Sequence, residues 1–259
     1  MKKMIMALLI GLSLSLTGMS QTNTTTTASP PSTFWVWDST VATKYLGDYL
    51  GGIFYDGPQL QIDLSYNHRD AHGVTTIGTW MARPLDNTKF NANFGDQYNL
   101  YLSRSLELSE DLKVTVGSCY YGLYDLGHMR DDMVDFSIRA DFPSVPIVQP
   151  YVFFDHFLSF SEASPENGSF AFAGLQRSQK LGDQTRVSLY FDYRVGYSGG
   201  CLNSRAGFEY QRLSASLVWK VTEKLSITPT LIGQIPIGTD RTFADHERVF
   251  AKISARYQF

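Results

Sequence analysis

The chain has 259 residues, with 22 Lys and Arg against 25 Asp and Glu, for a formal net charge of −3. No run of basic residues marks a nucleic-acid surface, and beyond the N-terminal segment no stretch of about eighteen apolar residues exists to form a transmembrane helix. With 17 Phe, 15 Tyr and 21 Gly, the composition instead suits an all-β chain rich in aromatic residues.

Residues 1–20 read as a secretory signal peptide. Lys2 and Lys3 form the basic start, Met4 to Leu16 an apolar run too short to span a bilayer, and Gly18-Met19-Ser20 a small-residue cleavage site, with cutting predicted after Ser20. No Cys follows that site, so the segment does not read as a lipoprotein leader. Residues 21–33 are Thr, Ser and Pro with almost nothing apolar, and are predicted to be a flexible tether. Residues 34–259 remain for one all-β domain.

Twelve candidate strands follow, near 35–46, 57–67, 73–83, 96–108, 111–124, 131–141, 146–157, 168–180, 184–197, 206–221, 223–235 and 246–259. Their connections alternate in length. Leu108 to Asp111, Asp141 to Pro146, Leu181 to Gln184 and Val221 to Lys224 are tight, whereas 84–95, 158–167, 198–205 and 236–245 are longer. Outer-membrane barrels have short periplasmic turns and long outer loops, so this rhythm predicts an up-and-down antiparallel transmembrane β-barrel with both termini periplasmic. Side chains alternate within most strands. Val187, Leu189, Phe191 and Tyr193 oppose Arg186, Ser188, Tyr190, Asp192 and Arg194; Val134, Phe136 and Ile138 oppose Asp135, Ser137 and Arg139. In a membrane barrel the apolar set faces lipid and the polar set the lumen. The third and seventh candidates alternate poorly. Arg104 falls on the lipid face near the periplasmic end, where it can snorkel, and Glu209 and Gln211 break parity, predicting a bulge or a strand already above the membrane.

The last strand alternates strictly. Ala251, Ile253, Ala255, Tyr257 and Phe259 lie on one face, with Lys252, Ser254, Arg256 and Gln258 on the other. An amphipathic closing strand that ends on Phe259, in an exported chain, looks like the last strand of a bacterial outer-membrane barrel. Its expected partners are the barrel-assembly machinery through that strand, outer-membrane lipid and lipopolysaccharide, and small polar solutes.

Parity also distributes the inner charges unevenly. The last four candidates direct Arg186, Arg194, Arg212, Lys220, Lys224, Arg248, Lys252 and Arg256 inward, with Asp192 as the main acid. The first six direct Asp38, Asp63, Glu107, Asp135 and Asp141 inward, with Lys44, Lys113 and Arg139. One wall is basic and the other mixed to acidic, which in a water-filled lumen biases passage toward anions. Tyr101, Tyr121, Tyr151 and Tyr190 share inner parity, either as a stacking track or as filling. Size leaves the lumen open to two readings: eight-stranded barrels are filled by side chains, and wide channels appear at about sixteen strands. A passive porin-like channel is the function expected. The rival readings are a non-conducting structural or adhesive barrel acting through its outer loops, a rim-located hydrolase, and a soluble exported barrel binding an apolar ligand.

Catalytic and cofactor signals are weak, and neither an enzyme nor a cofactor is expected. His156 and Ser159, with Ser161 and Glu162, form the one arrangement near a rim that suits an acyl hydrolase. Asp131-Asp132 with His128, and Asp245-His246, are compatible with an acid-dyad protease but better suit solvated outer loops or divalent ions bridging lipopolysaccharide. His68 and His72 flank a turn without metal-ligand spacing, and no clustered Cys and His suggest a metal site. Cys119 lies in a candidate strand and Cys201 in a Gly-rich loop; either they pair, as export allows, or both thiols are free.

The segments Val41-Ala42-Thr43-Lys44-Tyr45-Leu46-Gly47, Asp56-Gly57-Pro58 and Asp63-Leu64-Ser65-Tyr66 resemble the TorF-type porin family of small bacterial outer-membrane β-barrels. So does Gly117 followed by Tyr120-Tyr121 and Gly122-Leu123-Tyr124. The resemblance covers the layout of the mature chain through short motifs. It implies an outer-membrane pore and carries no catalytic residues.

Overall fold

The computed structural model describes residues 32–46, 53–55, 57–85, 96–124, 133–159, 167–182, 185–200, 206–237 and 248–259. Twelve antiparallel strands close into one barrel: β1 (Ser32–Ala42), β4 (Gln59–Asp70), β5 (Gly73–Pro84), β6 (Asp96–Ser109), β7 (Leu112–Tyr124), β8 (Met133–Asp141), β9 (Gln149–Ser159), β10 (Gly168–Lys180), β11 (Val187–Ser198), β12 (Gly207–Lys220), β13 (Leu225–Pro236) and β14 (Arg248–Gln258). Two short strands, β2 (Tyr45–Leu46) and β3 (Ile53–Tyr55), pair with each other between β1 and β4. The first strand therefore ends at Ala42, short of the predicted 46, because Tyr45 and Leu46 pair with β3 instead of a barrel neighbour.

β1 closes the ring. Val36 opposes Gln258 of β14 on one side and Ser65 of β4 on the other. Closure pairs every strand on both edges, so no row of backbone N–H and C=O groups is left to aggregate or to face an apolar medium. The turns between β4 and β5, β6 and β7, β8 and β9, β10 and β11, and β12 and β13 lie on one rim, together with the C-terminus. Side-chain caps define two of them. Asp70 Oδ1 accepts the N–H groups of His72 at 2.8 Å and Gly73 at 3.1 Å. Thr222 Oγ1 accepts those of Lys224 at 3.2 Å and Leu225 at 2.9 Å.

Alternation decides the faces. Trp35, Trp37, Ile77, Leu100, Ile138, Phe154, Phe191, Leu213, Trp219, Leu231, Ile253 and Tyr257 are all exposed on the outside, where a water-soluble protein would bury them. Arg104 lies on that face and is neutralised at the turn rim: its guanidinium pairs with Asp70 at 2.8 Å and donates to Thr75 Oγ1 at 2.7 Å. The parity break near residue 209 is a bulge. Gly196 opposes Tyr210 and Tyr197 opposes Phe208, which leaves Glu209 as the extra residue. Gln211 returns to the outer face and accepts the Tyr193 hydroxyl at 3.2 Å.

Candidate functional site

The inner face of the barrel is organised by tyrosines laid across glycines. Tyr101 of β6 stands opposite Gly78 of β5, crosses it, and donates its hydroxyl to both carboxylate oxygens of Asp63 on β4, at 2.8 and 2.9 Å. Tyr151 of β9 crosses Gly174 of β10 in the same way and reaches Asp192 on β11 at 2.6 Å. Tyr210 of β12 covers Gly196 of β11 and stacks on Phe170. A Cβ on any of these three glycines would fall 2.4 to 2.5 Å from the tyrosine ring, so only Gly leaves the space. The rings lie flat along the wall, and two of them fix a carboxylate two strands away.

The wall from β7 to β12 carries an aromatic cluster of Tyr121, Tyr151, Phe157, Phe170, Phe172 and Tyr210, with Met133. Phe153 stacks on Phe172 with centroids 4.5 Å apart. Three guanidinium groups lie on this layer: Arg139 is 4.1 Å above the Tyr151 ring, Arg194 5.0 Å above Phe172 and Arg212 4.8 Å above Tyr210. Arg139 is also held by Asp141, at 2.7 Å, and by Gln176. Arg212 is only 1% exposed and donates from Nε to Gln234 at 3.0 Å. Asp135 accepts the Tyr121 hydroxyl at 2.5 Å and the Cys119 N–H at 2.7 Å.

Across the barrel, Asp38 of β1 stands between Arg256 of β14 and Asp63 of β4. Thr40 and Ser254 bond through their hydroxyls at 2.7 Å, and Lys252 is half-buried above them. Height along the barrel separates two environments. Most buried inner side chains, including Gln59, Asn99, Asp155, Phe170, Tyr210, Arg212 and Gln234, sit in the half nearer the long links. Asp38, Asp63, Asp192 and Lys252 lie near mid-height and Arg139 and Tyr190 nearer the turns, and all six are part-exposed.

The register places most of the predicted inner residues on one surface but distributes them between these halves. Asp63, Tyr101, Tyr190, Asp192, Arg194, Lys252 and Arg256 line it, whereas Arg212, Tyr121 and Asp135 are packed into the wall. Lys220 ends β12 at the turn rim, exposed, and Arg248 occupies the inner register position opposite Gln234. Arg186 is not on the inner wall: it precedes β11, is exposed at the rim, and donates to the Val221 carbonyl at 3.0 Å. The predicted boundary of that strand, residue 184, was three residues too early, which carried Arg186 inward on parity.

His156 and Ser159 do not assemble a hydrolase site. His156 stands opposite Phe136 on the outer face, with Nδ1 2.9 Å from Ser169 Oγ, and Ser159 opposes the inner residue Met133. His128, Asp131, Asp132, Ser161, Glu162, Asp245, His246 and Cys201 lie outside the described residues. Cys119 carries a free thiol on the inner face. Among the described residues no group of three potential metal ligands occurs.

Sequence reasoning missed Trp80, Phe153, Phe157, Phe170 and Phe172 as inner residues. Two of the three strands, β5 and β9, alternate poorly; in β9, Phe153 and Phe157 face inward while Phe154 faces out, so both faces are apolar. The available signal was the placement of Gly78, Gly174 and Gly196 inside strands, which marks the close approach of another group.

No protein-family model and no curated protein matches this sequence. Solved structures share its architecture. A KdgM porin aligns with a TM-score of 0.53 and 11% identity over 86% of this chain and 99% of that one. A NanC porin gives a TM-score of 0.54 and 5% identity over 85% and 98%. The COG4313 outer membrane channel from Pseudomonas putida F1 gives 0.55 and 10% over 92% and 100%. At these identities what the chain shares with them is the closed antiparallel barrel.

Proposed function

We propose that this chain is an outer-membrane channel through which small polar solutes diffuse passively, with a bias toward anions. The observation that carries this reading is the inversion of the barrel. Its outer face is a continuous apolar and aromatic surface, while its inner face holds Asp38, Asp63, Arg139, Asp192, Arg194, Lys252 and Arg256. A closed barrel with that polarity satisfies its backbone internally and suits lipid outside with polar solutes inside. The likeness of its fold to two porins and an outer membrane channel supports the reading, as does the resemblance of its short motifs to TorF-type porins.

The channel residues are then those with accessible inner side chains. Lys252, Arg256 and Arg194 attract an anion, and Asp63 and Asp192, each fixed by a tyrosine hydroxyl, stand as counter-charges that give the passage a transverse field. The termini are periplasmic, and the strand ending at Phe259 is the one offered to the barrel-assembly machinery. Conductance of the refolded protein in a planar bilayer under a salt gradient tests the proposal. Discrete steps with an anion-leaning reversal potential are expected.

One observation favours a second reading, a non-conducting barrel. The half nearer the long links is filled by Phe157, Phe170, Phe172 and Tyr210, with Phe170 and Tyr210 at 0% exposure. A stably inserted barrel that stays silent at all voltages would establish that reading instead.

A further inference from the structure

The turn rim carries a second surface, on the outside of the barrel, that the channel does not use. Between the β10–β11 and β12–β13 turns lies a cleft of about 550 Å³ lined by Arg186, Thr222, Glu223, Lys224, Leu225 and Tyr257. Its floor is rigid. Arg186 accepts the Lys220 N–H at its carbonyl at 2.8 Å and anchors one guanidinium nitrogen on Val221, Thr222 caps the turn through its hydroxyl, and the Lys224 carbonyl accepts the Gln258 N–H at 2.9 Å. Leu225 and Tyr257 are a cross-strand pair, and Tyr257 meets Phe259 edge to face at 4.9 Å. Trp219, Tyr257 and Phe259 are exposed and form an aromatic belt at the lower limit of the apolar band.

Two cations and one carboxylate therefore stand at the boundary between an apolar surface and water. Among the described residues neither Arg186, Lys224 nor Glu223 makes an ion pair. We infer that this cleft binds the headgroup of a phospholipid with a primary ammonium, phosphatidylethanolamine in chemistry, its phosphate between Arg186 and Lys224, its ammonium on Glu223 and its chains along Leu225 and the aromatic belt. The charges match in sign: a phosphate suits the two basic groups, and an ammonium that can donate hydrogen bonds suits a carboxylate better than a fully methylated one. The inference rests on the reading of the barrel as membrane-spanning.

Native mass spectrometry of the barrel, refolded and then released from bilayers of equal phosphatidylethanolamine and phosphatidylcholine, tests it. Preferential retention of phosphatidylethanolamine is expected. Glu223→Gln should abolish the preference between the two lipids, and Arg186→Gln with Lys224→Gln should lower retention of both by about tenfold, the scale of a lost charge-assisted contact. Lys113→Gln, near the start of β7 at the same rim, should change neither. Equal retention by the wild type and the double variant overturns the inference. So does displacement of the lipid by soluble glycerophosphoethanolamine at the same concentration, which would make the cleft a phosphate pocket. Failure of the membrane reading shows separately, as a protein that never acquires the heat-sensitive electrophoretic mobility of an inserted barrel.

Discussion

The two halves of the barrel interior are cut from the same twelve strands and solve different problems. Nearer the long links, Phe157, Phe170, Phe172 and Tyr210 pack as a core does, with Arg212 and Asp135 folded into the layer and satisfied by Gln234, Tyr121 and the Cys119 N–H. From mid-height to the turns, Asp38, Asp63, Asp192, Lys252 and Arg256 keep contact with solvent. A charge in the first half is therefore a structural group whose removal strands its partner. In the second it is a group that a passing solute meets.

That contrast is open to attack by substitution. The largest effect is expected from Phe172→Ala, which removes a ring stacked on Phe153 and crossed by Arg194. It should destabilise the barrel by about 3–5 kcal/mol, read as the urea unfolding midpoint in lipid vesicles, whereas Tyr190→Ala, in the turn half, should cost about 1 kcal/mol. Equal costs would erase the distinction between the halves. Gly174→Val comes next, at about 1–3 kcal/mol, because its side chain must displace the Tyr151 ring. Adding Tyr151→Ala should recover part of that loss, and purely additive costs in the double variant would show that the ring does not lie across the glycine.

Arg104→Gln tests the outer face. It releases Asp70 and Thr75 at the rim and should cost about 1 kcal/mol or less, measured by the same unfolding curve. The smallest change in stability, within about 0.5 kcal/mol, is expected for Lys252→Glu and Arg256→Glu. These two should nevertheless shift the reversal potential toward cations in single-channel recordings. An unmoved potential, with the protein folded and conducting, would remove them from the passage.

Much of this was readable in the chain. Strict alternation in residues 251–259, the tight turns at 108–111 and 221–224, and the spacing between them set twelve strands and the faces of most of them, since the side-chain period of a strand leaves only two choices and one face is apolar. Local pattern also located the bulge at Glu209, because an extra residue must break parity. Asp63, Asp192, Arg194, Lys252 and Arg256 reached the inner face for the same reason.

What alternation cannot carry is how far an inward side chain stays from solvent, or what lies over it. Arg212 and Lys252 have the same parity and similar chemistry, yet one is packed between Tyr210 and Gln234 and the other is part-exposed. The difference comes from strands brought together by closure, not from neighbours in sequence. The pairing of Tyr101 with Gly78 and Asp63, or of Tyr151 with Gly174 and Asp192, likewise joins three strands through a register that no single strand encodes. The sequence by itself sorted the side chains of most strands into two faces, though not those of β5 and β9, where apolar residues lie on both. Only the closed barrel decided which of the inward ones became core and which remained beside solvent, because that depends on the strands on either side and on where along its length the barrel is filled.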